Sequence, residues 1–200
     1  INEGLNKLSL SHGSGALRLN WSRGDNNNRG ISISTERREG SSHKFWFEIN
    51  EYNPNFEAIT TMISINEQRN ASSLLSQCKT FSYIQSIQAR RESNLAGYND
   101  ALLISTNGEM CCGSTANIII KRDNKWLTPR KESGCLPGVM RQQGLNIGLI
   151  EEAKISAKPH ISDQWLLINS LSCQPIIKVN DMCLKSYEGA ENLWQLLLTN

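Results

Sequence analysis

The apolar residues of this chain come in short runs, and that limits its architecture more than any other feature. Ile118-Ile119-Ile120 and Trp165-Leu166-Leu167-Ile168 have the length of buried strands. No run approaches the ~20 residues of a membrane span. Turn-forming clusters separate the runs, as in residues 22–30 (SRGDNNNRG), Thr106-Asn107-Gly108 and Asp123-Asn124. The patterning predicts strands over 16–21, 31–34, 45–49, 59–65, 101–104, 117–121 and 126–128, with two more in 161–183. The first two would form a hairpin with a long polar tip. Apolar positions Phe81, Ile84, Ile87 and Ala89 predict an amphipathic helix within 79–92. A second helix is expected after Pro137-Gly138, and a closing helix over 190–198. Helices mixed with mostly antiparallel strand signals indicate an α+β fold in two lobes. The Asn/Pro cluster at 50–55 suggests the division: a small lobe over 1–50, a linker over 51–57 and a large lobe over 58–200.

Charge and cysteine usage narrow the function classes. Lys and Arg number 21 against 19 Asp and Glu, for a net charge of +2. That balance argues against a strongly basic nucleic-acid binder and an acidic disordered tail. Ile1-Asn2-Glu3-Gly4 shows neither a basic nor an apolar signal region, so the expected location is the cytoplasm, with neither membrane nor nucleic acid as partner. The six cysteines include no CxxC pair and are accompanied by only three histidines, so no structural metal site is expected. They read as reduced thiols in apolar places. His12, His43 and His160 read as surface or loop residues, Trp46 and Trp165 as core. Arg90-Arg91 reads as compensation of a helix dipole.

Three clusters could carry chemistry. In Gln77-Cys78-Lys79-Thr80-Phe81-Ser82-Tyr83, a lysine at a strand-to-helix junction can be partly buried, and burial makes an amine a nucleophile for a Schiff base. In residues 108–117 (GEMCCGSTAN), small and hydroxyl residues let the backbone approach a ligand. In residues 133–141 (SGCLPGVMR), a Gly/Pro loop opening a helix exposes N–H groups suited to a phosphate. Singly, each also has an ordinary reading: a solvated lysine, a tight turn, a plain loop.

Together, their order and spacing resemble the class IV, or fold-type IV, aminotransferases, which depend on pyridoxal phosphate. The resemblance runs from about Leu17 to about Ile177 and is strongest over 79–83, 99–103, 112–117 and 127–142. The lysine-threonine-x-serine-tyrosine form and Asn169-Ser170-Leu171 are most similar to the 4-amino-4-deoxychorismate lyase branch. The resemblance implies the following roles. Lys79 would hold the cofactor and shuttle the substrate Cα proton. Tyr83 would bond the cofactor's phenolic oxygen. The backbone of Gly138, Val139 and Met140, with the Ser170 hydroxyl, would bind its phosphate. Ser114 and Asn117 would shape the loop around its ring. Arg29 would recognise the carboxylate of a small, amino-acid-like substrate. A homodimer is the implied assembly. The implied reaction is release of pyruvate and 4-aminobenzoate for folate synthesis. The alternatives are branched-chain or D-amino-acid transamination, or an inactive or weakly active cofactor-binding relative serving as a dimeric scaffold.

The chain departs from the family pattern twice. Relatives place a glutamate immediately before the Gly-Ser/Thr-x-x-Asn turn, where it pairs with the cofactor's pyridine nitrogen. That position is Cys112 here. Glu109 lies three residues upstream, a strand displacement of ~10 Å, and is not expected to replace it. A thiolate could pair with pyridinium, whereas a neutral thiol is a weak partner. The substitution therefore counts against transamination more than against an elimination driven by ring aromatisation. Second, residues 1–20 show no counterpart of the relatives' opening segment with its phosphate-clamping arginine. Either the chain is a fragment, or its small lobe is trimmed at the N-terminus and the phosphate is held differently.

Overall fold

The computed structural model describes residues 15–24 and 43–199. The expected 31–34 strand, His12 and Arg29 lie outside the described residues. The chain divides into two compact units, Ile1–Asn53 and Pro54–Asn200.

In the first unit, β1 (Ala16–Ser22) pairs antiparallel with β2 (Lys44–Asn50) in unbroken register from Ala16↔Asn50 to Ser22↔Lys44. Leu17, Leu19 and Trp21 therefore share a face with Ile49, Phe47 and Phe45. Trp46, expected in the core, is exposed and donates its indole N–H to Glu48 Oε1 at 3.1 Å. It sits on the opposite, polar side of the ribbon. His43 stacks on Trp21.

The second unit is built on nine strands: β3 (Ile59–Arg69), β4 (Asp100–Ser105), β5 (Met110–Gly113), β6 (Asn117–Arg122), β7 (Lys125–Pro129), β8 (Ile150–Ala153), β9 (Gln164–Asn169), β10 (Ser172–Val179) and β11 (Met182–Cys183). Helix α1 (Ile84–Leu95) follows β3, α2 (Val139–Asn146) follows β7, and α3 (Ala190–Thr199) ends the described chain. Pairings run β10-β3-β4-β5-β6, and β9 joins β6 back to β10, so the sheet closes on itself. β7, β8 and β11 extend it. The β3–β4, β3–β10 and β7–β8 pairs are parallel and the rest antiparallel. The link from β5 to β6 is a single pair, Cys112↔Asn117, around the turn at 113–116.

The continuous apolar runs are explained by a sheet buried on both faces. Ile118 and Ile120 of β6 and Trp165 and Leu167 of β9 pack with Leu102, Met110 and Ile176. The intervening Ile119, Leu166 and Ile168 point the other way, onto Met140 of α2 and Leu193, Trp194 and Leu197 of α3. Tight turns set the registers. Asp123 and Asn124 both take positive φ, 49° and 62°, as a two-residue turn between right-twisted strands requires. Asn55, within the expected linker, is already tied into the second unit: its carbonyl accepts from Cys173 N and its amide donates to Leu171 O.

The helix expected over 79–92 begins only at Ile84. Thr80 Oγ1 accepts from Ser82 N at 3.2 Å and Tyr83 N donates to Phe81 O at 3.0 Å, so local turn bonds take groups that a helix would use. The buried face keeps only Ala89 of the expected stripe. Ala89 and Ser93 are buried, while Phe81, Ile84 and Ile87 are exposed. The small side chains let α1 approach the sheet, where Ser93 Oγ donates to Asp100 O at 2.6 Å.

Candidate active site

The Gly-Ser-Thr-Ala turn, the loop before α1, the start of α2 and the β9–β10 turn border one cavity of about 820 Å³ in the second unit. Of the ten residues singled out from sequence, nine line it. Lys79 and Tyr83 come from the loop before α1, and Cys112, Ser114 and Asn117 from the β5–β6 connection. Gly138, Val139 and Met140 come from the start of α2, and Ser170 from the β9–β10 turn.

Lys79 is exposed, not partly buried as the junction suggested, because residues 79–83 form an open loop at the cavity. Its Nζ lies 6.0 Å from the centre of the Tyr83 ring, within cation–π reach. Arg69, at the end of β3, supports this loop from behind: Nη2 donates to Ser76 O at 2.9 Å and Nη1 to Gln85 Oε1 at 3.2 Å. Its buried Nε has no partner.

Helix α2 starts at the cavity with no side-chain cap. Val139 and Met140 occupy its first positions, where N–H groups have no intrahelical acceptor. Gly138 does not add a third donor. Its N–H goes to Leu136 O at 2.8 Å, which corrects the expectation that all three amides face a phosphate. Arg141, in the same turn, is buried and donates to Pro129 O at 2.9 Å and to Glu152, locking α2 onto β7 and β8. Asn117 clasps the preceding loop by donating Nδ2 to Leu136 O at 2.8 Å. Asn169 Nδ2 reaches Thr115 O at 3.4 Å and so ties the β9–β10 turn beside Ser170 to the 113–116 turn.

Cys112 and Cys111 are buried with Cys135 in a small cluster under α1. The adjacent Cys111 thiol, hydrogen-bonding to Cys112, holds the Cys112 pKa below the usual thiol value against the cost of burial, and the Arg69 guanidinium adds to the effect. The same interaction and burial push Cys111 upward. Cys78 and Cys183 are exposed, unlike the apolar placement expected of all six. Glu109 stays out of the cavity. It is buried and accepts from Arg130 Nη2 at 2.6 Å, Arg130 Nε at 3.1 Å and Ser133 Oγ at 3.0 Å.

Sequence reasoning missed Arg69 and the group around Asp100. Asp100 is buried at the start of β4, where Oδ1 accepts from Ser114 Oγ at 2.5 Å and Oδ2 from Arg90 Nη2 at 2.8 Å. Arg90 is thus an ion-pair partner, not a counter-charge for the helix dipole. Gly97, at φ 84°, reverses the chain and brings Asp100 back beside α1. No described helix is long and apolar enough to cross a membrane.

Comparisons with known proteins bear on the family and the fold. A "Probable branched-chain-amino-acid aminotransferase" of Thermotoga maritima is 33% identical over 84 residues, 42% of this chain and 29% of that protein. Among solved structures, a proposed 4-amino-4-deoxychorismate lyase from Legionella pneumophila superposes with a TM-score of 0.77 at 22% identity, covering 98% of this chain and 72% of the other. A fold IV-transaminase from Curtobacterium pusillum gives 0.79 at 21% identity, covering 98% and 68%. The chain thus has the fold-type IV, α+β architecture. Its matches to curated relatives span only 22% to 32% of their lengths. The model of the amino-transferase class IV family matches residues 1–179. The match begins upstream of Leu17, where the resemblance in the sequence was read to start. The chain belongs to the class IV aminotransferase family, whose enzymes depend on pyridoxal phosphate.

Proposed function

We propose that the chain acts as a pyridoxal-phosphate-dependent lyase on 4-amino-4-deoxychorismate, releasing pyruvate and 4-aminobenzoate in folate synthesis in the cytoplasm. The observation that carries this reading is the convergence of Lys79, Tyr83 and the uncapped start of α2 on one cavity. The residues fit the cofactor: an amine on one side, free helix N-terminal amides on another and a polar turn between. The Legionella protein and the Curtobacterium transaminase superpose alike and so support the fold, whereas the lyase branch rests on the Lys79-Thr80-x-Ser82-Tyr83 form and on Cys112.

When bound, the cofactor supplies an electron sink for bonds at an amino acid's Cα. The chain's residues have separable tasks. Lys79 Nζ holds the cofactor and moves the Cα proton. The Tyr83 hydroxyl orients the ring. The Val139 and Met140 amides and the Ser170 hydroxyl hold the phosphate, favoured by the helix dipole. Asn117 and Ser114 shape the turn, and the family resemblance assigns the substrate carboxylate to Arg29. The reading includes a homodimer, because Leu74, Leu75, Ile84 and Ile87 are exposed beside the cavity loop and a second copy would cover them.

A second reading, branched-chain transamination, is favoured by the matched Thermotoga segment. The deciding experiment has two steps. The purified protein with added cofactor should show a visible absorption band that Lys79→Ala abolishes. Pyruvate release from the amino-deoxychorismate substrate should then exceed keto-acid-dependent amino transfer. A protein that stays colourless defeats both readings, and amino transfer without pyruvate release selects the second. Sedimentation of the same sample tests the dimer.

A further inference from the structure

The described residues lining the cavity include two cations, Lys79 and Arg69, and no carboxylate. A positively charged ring nitrogen placed there has to find its acceptor among neutral groups or a thiol. Ser114 is the lining residue with a direct line to a buried negative charge. Its hydroxyl donates to Asp100 Oδ1 at 2.5 Å, in the range of a short, charge-assisted bond. A hydroxyl has one proton and two lone pairs. With the proton committed to Asp100, Ser114 can offer a ligand only acceptor capacity.

The carboxylate is fixed in this role. Asp100 Oδ1 also accepts from Ala101 N at 2.7 Å, and Arg90 holds it through Nη2 at 2.8 Å and Nε at 3.3 Å. The Arg90 side chain is 43% exposed against 8% for Asp100. Solvent therefore screens the arginine's charge more than the carboxylate's, and Asp100 is only partly neutralised by it. Arg90 Nη2 also reaches Thr115 Oγ1 at 3.3 Å, which pins the next residue of the turn. Cys112, an alternative acceptor in the lining, is already engaged by a hydrogen bond with the Cys111 thiol.

We infer that Ser114 is the acceptor for a protonated heteroaromatic ring nitrogen in the cavity, and that Asp100 supplies the counter-charge through it as a positioning residue. This rests on the cofactor reading above, since a pyridine ring nitrogen that stays protonated is what deepens an electron sink. It assigns to a serine–aspartate pair the task for which Cys112 stands at the expected position.

The test is a pH titration of the bound ring nitrogen, followed by ¹⁵N NMR with ring-labelled pyridoxal phosphate. It compares the unmodified protein with Ser114→Ala, Asp100→Asn and Cys112→Ser. The expected result is a protonation midpoint lowered by about one pH unit or more, a tenfold change, in Ser114→Ala and Asp100→Asn, and unmoved in Cys112→Ser. Ser114→Ala removes one hydroxyl, so it decides the matter even where Asp100→Asn does not fold. A Ser114→Ala midpoint equal to that of the unmodified protein overturns the inference, as does an equal or larger drop in Cys112→Ser. Absence of a bound ¹⁵N signal in the unmodified protein defeats the cofactor reading and the inference together, whereas a bound signal insensitive to Ser114 defeats the inference alone.

Discussion

Asn117 Oδ1 occupies the space where a β-carbon on Gly138 would stand, 2.2 Å from that position. Gly138 has an ordinary φ of −68°, so the glycine is required by proximity and not by backbone strain. Asn117 cannot retreat freely, because its Nδ2 holds Leu136 O at the entrance to α2. Gly138→Ala should therefore release that clasp and shift the first turn of α2, costing about 1–3 kcal/mol as overpacking does. Affinity for inorganic phosphate or pyridoxal phosphate should fall at least about tenfold, as measured by calorimetry, for a loss of about 1.4 kcal/mol. In an Asn117→Ala background the same substitution should cost much less stability, and additive costs in that double-mutant cycle would defeat the explanation.

Glu109 governs a part of the acid stability. Hydrogen bonds from Arg130 hold its carboxyl below the usual range, against the cost of burial, with Ser133 and Lys154 contributing. A carboxyl with a depressed folded-state pKa gives its full stabilisation above the unfolded value, near 4.5. The contribution is lost as pH falls through the folded value. Glu109→Gln should lower stability at neutral pH by about 1.5–3 kcal/mol, the range for hydrogen bonds to a charged group. It should also flatten the decline in denaturation midpoint below about pH 4.5. An unchanged acid slope would rule out the network as its source.

The β6–β7 turn offers a stabilising change. Asn124 holds φ 62°, and its side chain makes no hydrogen bond among the described residues. Asn124→Gly converts Asp-Asn to Asp-Gly, the stronger signal for this turn, and should raise stability by a few tenths of a kcal/mol. Thermal denaturation with no increase, or a loss, would show that Asn124 is already unstrained.

What could be read from the chain before its structure follows from how local each signal is. Ile118–Ile120 and Trp165–Ile168 were legible as buried strands because a sheet covered on both faces leaves no polar alternation. Lys79 and Tyr83 were legible as a pair, but not the conformation between them. Thr80 forms a side-chain turn bond that apolar spacing does not report. Ile84 and Ile87 misled for a related reason: the helix docks through Ala89 and Ser93, whose small size, not hydrophobicity, suits close contact with β4. Asp100 falls within the 99–103 resemblance, but its partners were hidden. Its partners Arg90 and Ser114 are distant in sequence, and only the Gly97 reversal and the β4–β5 pairing of Leu102 with Gly113 bring them together.

Cys112 and Cys111 are neighbours in one strand with opposed proton affinities, and that opposition is measurable as chemistry. The thiolate is the nucleophile toward alkylating agents. Burial pushes Cys135 up to about 11 and Cys173 up to about 12, whereas hydrogen bonding from Cys111 and the nearby Arg69 charge hold Cys112 down. Thiolate fraction rises with pH, so native labelling with limiting iodoacetamide should reach half its limiting rate at Cys112 at a lower pH than at Cys135 or Cys173. Near pH 8, a thiol at about 11 is ionised in only about one molecule in a thousand, so the rate advantage of Cys112 should be at least about tenfold even after its limited access is counted. Peptide mapping by mass spectrometry separates Cys112 from the exposed Cys78 and Cys183, which label regardless. Arg69→Met should move the Cys112 midpoint upward and leave Cys173 where it is. Labelling of Cys112 that waits for unfolding, or that Arg69→Met fails to change, would remove the electrostatic account of this thiol.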